Sequence, residues 1–254
     1  MDRMSLQEYF KTKCSSGAAL AFSGGVDSAF LLSELIKSGI PYCAYYVKTD
    51  FQPQFEYEDA LRLAKELNAN IKVLELDVLK NPKIAENPSN RCYFCKISIM
   101  TEIKAACKED GFTILMDGTN ASDDISDRPG FKALQELEVL SPLRDCGLTK
   151  SEIRKLSKEA GLFTWNKPAY SCLATRINTG CRLTKENLRQ VEDTEKILFN
   201  FGFNDFRIRQ RDRGLGIIQI TENQMDEMKR RWNEVEKALS PWYSKLTLET
   251  RVSK

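Results

Sequence analysis

The stretch AALAFSGGVDSAF, residues 18–30, limits the possible folds of this chain more than any other. An apolar run of strand character (18–23) passes through two adjacent glycines into SAFLLSELIKSG, a helical pattern that Gly39 ends. Glycine lets the backbone approach an anion, successive N–H groups face it, and a helix N-terminus adds partial positive charge. Such a strand–loop–helix is a phosphate cradle. The Lys of the Walker loop and the G-x-G-x-x-G spacing are both missing, so neither ordinary P-loop hydrolysis nor nicotinamide binding is indicated. The bland alternative is a Gly-Gly turn at a strand–helix junction.

The surrounding pattern places the cradle in an α/β fold. Strands are expected at 41–47 (PYCAYYV), 71–78 (IKVLELDV) and 112–118 (FTILMDG), with helices at 55–67 and from about Tyr93 to Gly111. Each change of period implies a crossover unit over a parallel sheet, whose functional loops gather at the strand C-termini after residues 22, 47 and 117. Thr149, Glu152 and Gly161 mark a helix with a capping box and a C-terminal glycine. The segment 166–182 is irregular and reads as an active-site loop and linker. Beyond it come a helix at 184–200, strands at 206–211 and 215–220 about the turn DRG, and a helix opened by Thr221 with Gln224 as its partner. The expected organisation is a nucleotide-binding domain over 1–165 and a small α+β domain over 183–254 that binds substrate and supports oligomerisation.

Composition narrows the function. The opening MDRMSLQEYFKTKC has no signal-peptide character and no apolar run reaches membrane-spanning length, which points to a cytoplasmic protein with no membrane partner. A net charge of +2, from 38 basic and 36 acidic residues, argues against a large polyanion such as nucleic acid. In a reducing compartment the eight cysteines suggest metal binding, redox chemistry or burial rather than a disulfide framework.

Cys92 and Cys95 stand at metal-ligand spacing near a helix start, in a chain with no histidine. Cys172, in PAYSCLATR beside Lys167 and Arg176, is the third candidate ligand. Cys14, Cys43, Cys107, Cys146 and Cys181 lack a matching partner and are expected to be buried or incidental. Zinc requires four ligands, whereas three cysteines suit a 4Fe-4S cluster with one open iron. A structural zinc site or an incidental C-x-x-C pair is the alternative.

The strings SGGVDSAF, NPSNRCYFCK, DGTNASDDISDRPG, LSPLRDCGLTKSEIRKLS, WNKPAYSCLATRI and FRIRQRDRGLGIIQI, in that order over roughly 15–225, resemble the LarE family within the ATP pyrophosphatase (PP-loop) superfamily. These are ATP-dependent sulfur transferases that help build the nickel-pincer nucleotide cofactor of lactate racemase. The resemblance implies that Ser23, Gly24, Gly25, Val26 and Ser28 hold pyrophosphate, that Asp27 binds Mg2+, and that Thr119 and Asn120 contact ATP. It implies pyridinium-3,5-biscarboxylic acid mononucleotide as substrate, adenylated on a carboxylate and converted to a thiocarboxylate. In one version of the family the cysteine matching Cys172 surrenders its own sulfur. In the other, cysteines matching Cys92, Cys95 and Cys172 carry a 4Fe-4S cluster, and the presence of all three here favours that version.

Arg176, Arg207 and Arg209 are candidate ligands for substrate phosphate and carboxylates, the last two on one strand face at period 2, with a solvated strand face as the alternative. Asp123 and Asp124 are candidates at the metal or nucleotide, or simply loop-capping residues. Where the family often has an acid, this chain has Gln219, so Glu195 and Asp226 are the substitutes considered for a metal. The resemblance also implies a symmetric homo-oligomer, with a hexamer as one option, and leaves the sulfide source open. A tRNA thiolation enzyme and a non-catalytic nucleotide-binding cluster scaffold are the competing readings.

Overall fold

In the computed structural model, which describes residues 3–124, 129–211 and 214–252, the chain divides into two units. The first comprises Met1–Thr49, Gln54–Val78 and Asn90–Lys167, and the second Asp50–Pro53, Leu79–Ser89 and Pro168–Lys254. The elements in chain order through residue 160 are α1 (Leu6–Lys13), β1 (Ala18–Ala21), α2 (Val26–Ser38), β2 (Tyr42–Lys48), α3 (Gln54–Glu66), β3 (Ile71–Glu75), α4 (Pro82–Ala85), α5 (Arg91–Glu109), β4 (Leu115–Met116), α6 (Pro129–Glu136), α7 (Pro142–Asp145) and α8 (Lys150–Glu159). Of these, α4 belongs to the second unit.

The first unit is a parallel sheet in the order β3-β2-β1-β4, the α/β architecture expected from the alternating pattern. The strands β1, β2 and β4 are apolar on both sides because both faces are covered, whereas the edge strand β3 carries exposed Lys72 and Glu75. Leu20, Ala44 and Tyr46 point into a core shared with α1, α2 and α8, while Ala19, Cys43, Tyr45 and Val47 point into a second core with α5 and α6. The period of two thus splits one apolar run between two cores. The strand β4 is shorter than the expected 112–118. Phe112 donates its N–H to the Cys107 carbonyl and finishes α5, and only Leu115 and Met116 pair with β1 at the sheet edge. Likewise β3 ends at Glu75, and Val78 opens a 3-10 turn.

The second unit contains α9 (Lys185–Asn200), β5 (Arg207–Arg211), β6 (Leu215–Thr221), α10 (Met225–Arg230), α11 (Trp232–Leu239) and β7 (Lys245–Arg251). The strands β5 and β6 are antiparallel, and β7 lies parallel to β6, a strand that the sequence reading missed. Its signal was the alternation of Leu246 and Leu248 with Thr247 and Glu249. The core joins Leu198, Ile208, Ile218, Ile220, Met228 and Val235. Instead of a helix directly after Thr221, a 3-10 turn (Glu222–Gln224) precedes α10, and the Gln224 amide donates to Thr221 Oγ1 at 2.7 Å. Asp212 and Arg213 of the expected DRG turn, and Ile125–Arg128 of the DGTN-to-RPG segment, lie outside the described residues. The α4 segment is stitched to the linker by Leu183 N–H to the Ala85 carbonyl and Gly180 N–H to the Asn87 carbonyl, at 2.7 and 2.8 Å. Among the described residues no helix is long and apolar enough to cross a membrane.

At the loop after β1, Gly24 has φ of +73°, and a Cβ there would come 2.7 Å from the Ala60 Cβ on α3. Left-handed backbone and close approach both demand glycine. Gly24→Ala is therefore expected to destabilise the chain by about 1–3 kcal/mol, read as a lower urea midpoint with an unchanged m-value.

Candidate active site

The cradle is built by the start of α2. Gly25 is the N-cap and supplies no side chain, so the first-turn N–H groups lack the usual side-chain acceptor. Ser23 and Ser28 place their hydroxyl oxygens 3.0 Å apart across the loop, and Ser28 donates to the Gly25 carbonyl at 3.2 Å. Val26 is buried in the core, which leaves its backbone as the part that faces an anion. The result is a rigid, donor-rich turn at a helix N-terminus, suited to phosphate oxygens.

Asp27 sits within that turn. Its Oδ2 accepts from Lys150 Nζ at 2.6 Å, and its buried Oδ1 has no hydrogen-bond partner among the described residues. Burial pushes the carboxyl above its usual range, opposed by the Lys150 charge. A buried carboxylate with one oxygen unanswered fits a hard cation such as Mg2+. Lys150 was missed in the sequence, where it reads as an exposed first residue of a capped helix. Its own N–H donates to Ser122 Oγ at 3.0 Å, which ties the start of α8 to the loop after β4.

The DGTN motif acts on the cradle through shape. A Cβ at Gly118 would come 2.9 Å from the Ser28 backbone nitrogen, so this glycine permits the loop to pack on the N-terminus of α2. Asp117 holds the turn by accepting from Thr119 Oγ1 at 2.6 Å and Ser141 Oγ at 2.9 Å. Asn120 is buried, accepts from Ser122 N–H at 2.8 Å, and donates its own N–H to Asp123 Oδ2 at 3.1 Å. The side chains of Thr119 and Asn120, expected on ATP, are thus engaged in holding the loop, together with Asp123, while Asp124 is exposed.

Cys92 and Cys95 occupy the first turn of α5, three residues apart and hence on one face, with Cys92 exposed and Cys95 half-buried. The N-cap Asn90 makes no side-chain cap, and the buried Arg91 brings Nη2 to 3.8 Å from Cys92 Sγ. Cys14, Cys43, Cys107 and Cys146 are buried thiols, whereas Cys172 and Cys181 are half-buried. Accessible thiols on a helix N-terminal turn fit as two ligands of an iron–sulfur cluster, which needs a third from elsewhere. Among the described residues no three Cys, Asp or Glu side chains are gathered at metal-binding separation.

In the second unit Cys172 is the N-cap of a 3-10 turn, Leu173–Arg176. Arg176 is wholly buried and meets Glu195 through two hydrogen bonds, Nε to Oε1 at 2.8 Å and Nη2 to Oε2 at 3.1 Å. Its Nη1 donates to the Ser171 carbonyl at 2.7 Å and to Thr175 Oγ1 at 3.0 Å. Glu195 also accepts from the Ile208 N–H at 2.9 Å and from the Tyr170 hydroxyl, whose pKa is pushed up by burial and by that carboxylate. Arg176 and Glu195 answer each other, so their work here is to hold the Cys172 loop, not to face phosphate or metal. Asp226 is exposed on α10.

Arg207 and Arg209 are half-buried on one face of β5. Arg207 Nη2 donates to Ser171 Oγ at 2.8 Å, and Arg209 Nη1 to the Thr175 carbonyl at 3.0 Å. Both therefore reach the residues that flank Cys172. Burial, then neighbouring arginines, lowers the pKa of each guanidinium, opposed in part by Glu195 at Arg207 and by Glu249 at Arg209. Because the Arg176 charge is buried, Glu195→Ala is expected to cost about 3–5 kcal/mol in urea unfolding. Arg176→Leu combined with Glu195→Ala should recover part of that loss.

No family model matches the chain. It is 32% identical over 214 residues to an uncharacterised protein of Synechocystis, covering 83% of this chain and 78% of the relative. An uncharacterised protein of Methanocaldococcus jannaschii is 31% identical over 218 residues, with 86% and 82% covered. The pyridinium-3,5-bisthiocarboxylic acid mononucleotide synthase of Lactiplantibacillus plantarum is 31% identical over 192 residues, 75% of this chain and 70% of that enzyme. Likeness of that extent over most of both sequences, on a parallel sheet with a PP-loop cradle, shows that the chain belongs to the LarE family of sulfur-transferring enzymes.

Proposed function

We propose that the chain uses ATP to adenylate a carboxylate of pyridinium-3,5-biscarboxylic acid mononucleotide and then converts it to a thiocarboxylate. The observation that carries this reading is the uncapped α2 N-terminus with Asp27 inside it, one buried carboxylate oxygen unanswered. That is a site for a triphosphate with its cation, in a chain akin to a named thiocarboxylate synthase.

The chemistry follows from the leaving group. A carboxylate oxygen cannot depart until AMP is attached to it, and ATP cleavage to AMP requires the pyrophosphate to be held as charge develops on it. The N–H groups at Gly25 to Ser28 and the two serine hydroxyls hold the pyrophosphate, and Asp27 holds Mg2+, which neutralises phosphate charge when bound. Lys150 holds Asp27 Oδ2 through its ammonium group and gives way there when the cation binds. Arg207 and Arg209 take the substrate's anionic groups beside the Cys172 loop.

For the sulfur, the reading assigns Cys92, Cys95 and Cys172 to a 4Fe-4S cluster, which supplies an exchangeable sulfur at its open iron when bound. This requires the three thiols to meet around one cluster. It leaves Cys172 in the role of ligand, in place of a thiol consumed at each turnover. ATP as cosubstrate, the mononucleotide as substrate and self-association of the chain all belong to this reading.

Asp27→Ala is expected to lower AMP formation by at least about 100-fold, and loss of only sulfur transfer would sink its assignment. Since burial raises the Asp27 pKa, protons compete with the cation, and the Mg2+ requirement should rise as pH falls towards that raised value. Lys150→Ala, which removes a competitor for Asp27, should lower the Mg2+ concentration needed for half-maximal AMP formation. Iron, acid-labile sulfide and zinc measured on protein prepared without oxygen should give about four irons per chain, lost in Cys92→Ser, Cys95→Ser or Cys172→Ser while AMP formation persists. Absence of iron, with Cys172 losing sulfur mass during turnover, would establish the sacrificial route instead. AMP formation that depends on tRNA would replace the mononucleotide as substrate.

A further inference from the structure

We propose that Gln219 is the positioning residue of the anion-binding face on β5–β7, aiming Arg209 while leaving its charge free for the ligand. This rests on the reading of Arg207 and Arg209 as the subsite for the substrate's phosphate. In the sheet register Gln219 on β6 pairs with Arg207 on β5 and with Glu249 on β7. Its amide oxygen accepts from Arg209 Nε at 2.6 Å, and its amide nitrogen donates to Glu249 Oε2 at 2.8 Å. The two ends of an amide are chemically different, so a cation on one side and a carboxylate on the other allow one orientation. A flipped amide would set N–H against guanidinium and oxygen against carboxylate.

The consequence lies in what Arg209 is given. Nε meets the neutral Gln219 oxygen and Nη1 meets the neutral Thr175 carbonyl, which fixes the guanidinium plane. Among the described residues Nη2 is left over, and no carboxylate touches the group. Glu249, the nearest acid on this face in register, is kept one side chain away by Gln219. Arg207 likewise donates Nη2 to the neutral Ser171 hydroxyl. An acid at position 219 would pair with Arg209 directly and cancel the charge that an anion needs. A phosphomonoester or carboxylate is the ligand class that two fixed guanidiniums, bonded among the described residues only to neutral oxygens, accept, and Ser171 and Thr175 place it beside Cys172.

The test compares Gln219→Glu and Gln219→Leu with the native chain by calorimetric binding of inorganic phosphate and by steady-state AMP formation with the mononucleotide. Neither substitution touches the α2 cradle, so a difference in phosphate binding belongs to this face. Gln219→Glu should weaken phosphate binding and raise KM for the mononucleotide at least about tenfold, the loss of one charge-assisted bond, with kcat within about twofold. Gln219→Leu, which frees the guanidinium plane without cancelling its charge, should fall between native and Gln219→Glu. Unchanged phosphate affinity in either variant, an equal loss in both, a fall in kcat alone, or no phosphate binding by the native chain would overturn the proposal. Should Gln219→Glu fail to fold, the Gln219→Leu arm still decides it. Phosphate binding that weakens as expected without any mononucleotide turnover would remove the substrate assignment and leave the role of Gln219 standing.

Discussion

The unmet hydrogen-bonding demand at the start of α2 is the constraint on which the first unit depends. Backbone N–H groups at a helix N-terminus must find acceptors, and here the N-cap is a glycine that offers none. The surrounding chain keeps this helix end without a side-chain cap. Gly24 turns the backbone through left-handed φ against Ala60, and Gly118 lets the loop after β4 press on Ser28. Asp27 adds a buried carboxylate that Lys150 answers on one oxygen only. The loop thus combines an uncapped helix end with a buried carboxylate, the arrangement on which the proposed phosphate and cation site rests.

In the second unit the organising interaction is the buried pair of Arg176 and Glu195. Two desolvated charges are tolerable only when their hydrogen bonds are met, and here Ser171, Thr175, Tyr170 and Ile208 meet them. The pair anchors the short turn that begins at Cys172, so the Cys172 thiol stands on a fixed piece of backbone. Arg207 and Arg209 extend the same logic outward. Their donors reach neutral oxygens on Ser171 and Thr175, and neither is directly paired with a carboxylate among the described residues. Residues of one type thus divide between scaffold and surface according to burial and partner.

Much of the fold was legible. The apolar strands, the Gly-Gly turn and the capping box of α8 follow local rules of period, glycine conformation and side-chain capping, which a short window of residues contains. The failures have physical causes. The run 112–118 looked like a full strand, yet Phe112 finishes a helix and Asp117 turns to hold the next loop, which leaves Leu115 and Met116 to pair with β1. The strand β7 depends on pairing with β6 about thirty residues away, and its short alternation of Leu246 and Leu248 with Thr247 and Glu249 does not by itself specify that partner. Thr119 and Asn120 belong to a motif tied to ATP, but their side chains turn inward to Asp117 and Ser122 because the loop needs those bonds to keep its shape.

Residue chemistry and spacing by themselves determined the cradle, the thiol pair on one helix face and the family to which the chain belongs, since each is a local arrangement of side-chain types. Tertiary structure alone decided which charges are available. Arg176 and Glu195 are withdrawn into each other, Lys150 is brought to Asp27 from 123 positions away, and Gln219 is set between Arg209 and Glu249. A charged residue reads the same in a sequence wherever it lies. Burial and the identity of its partner, which only the folded chain supplies, determine whether it holds the protein together or waits for a ligand.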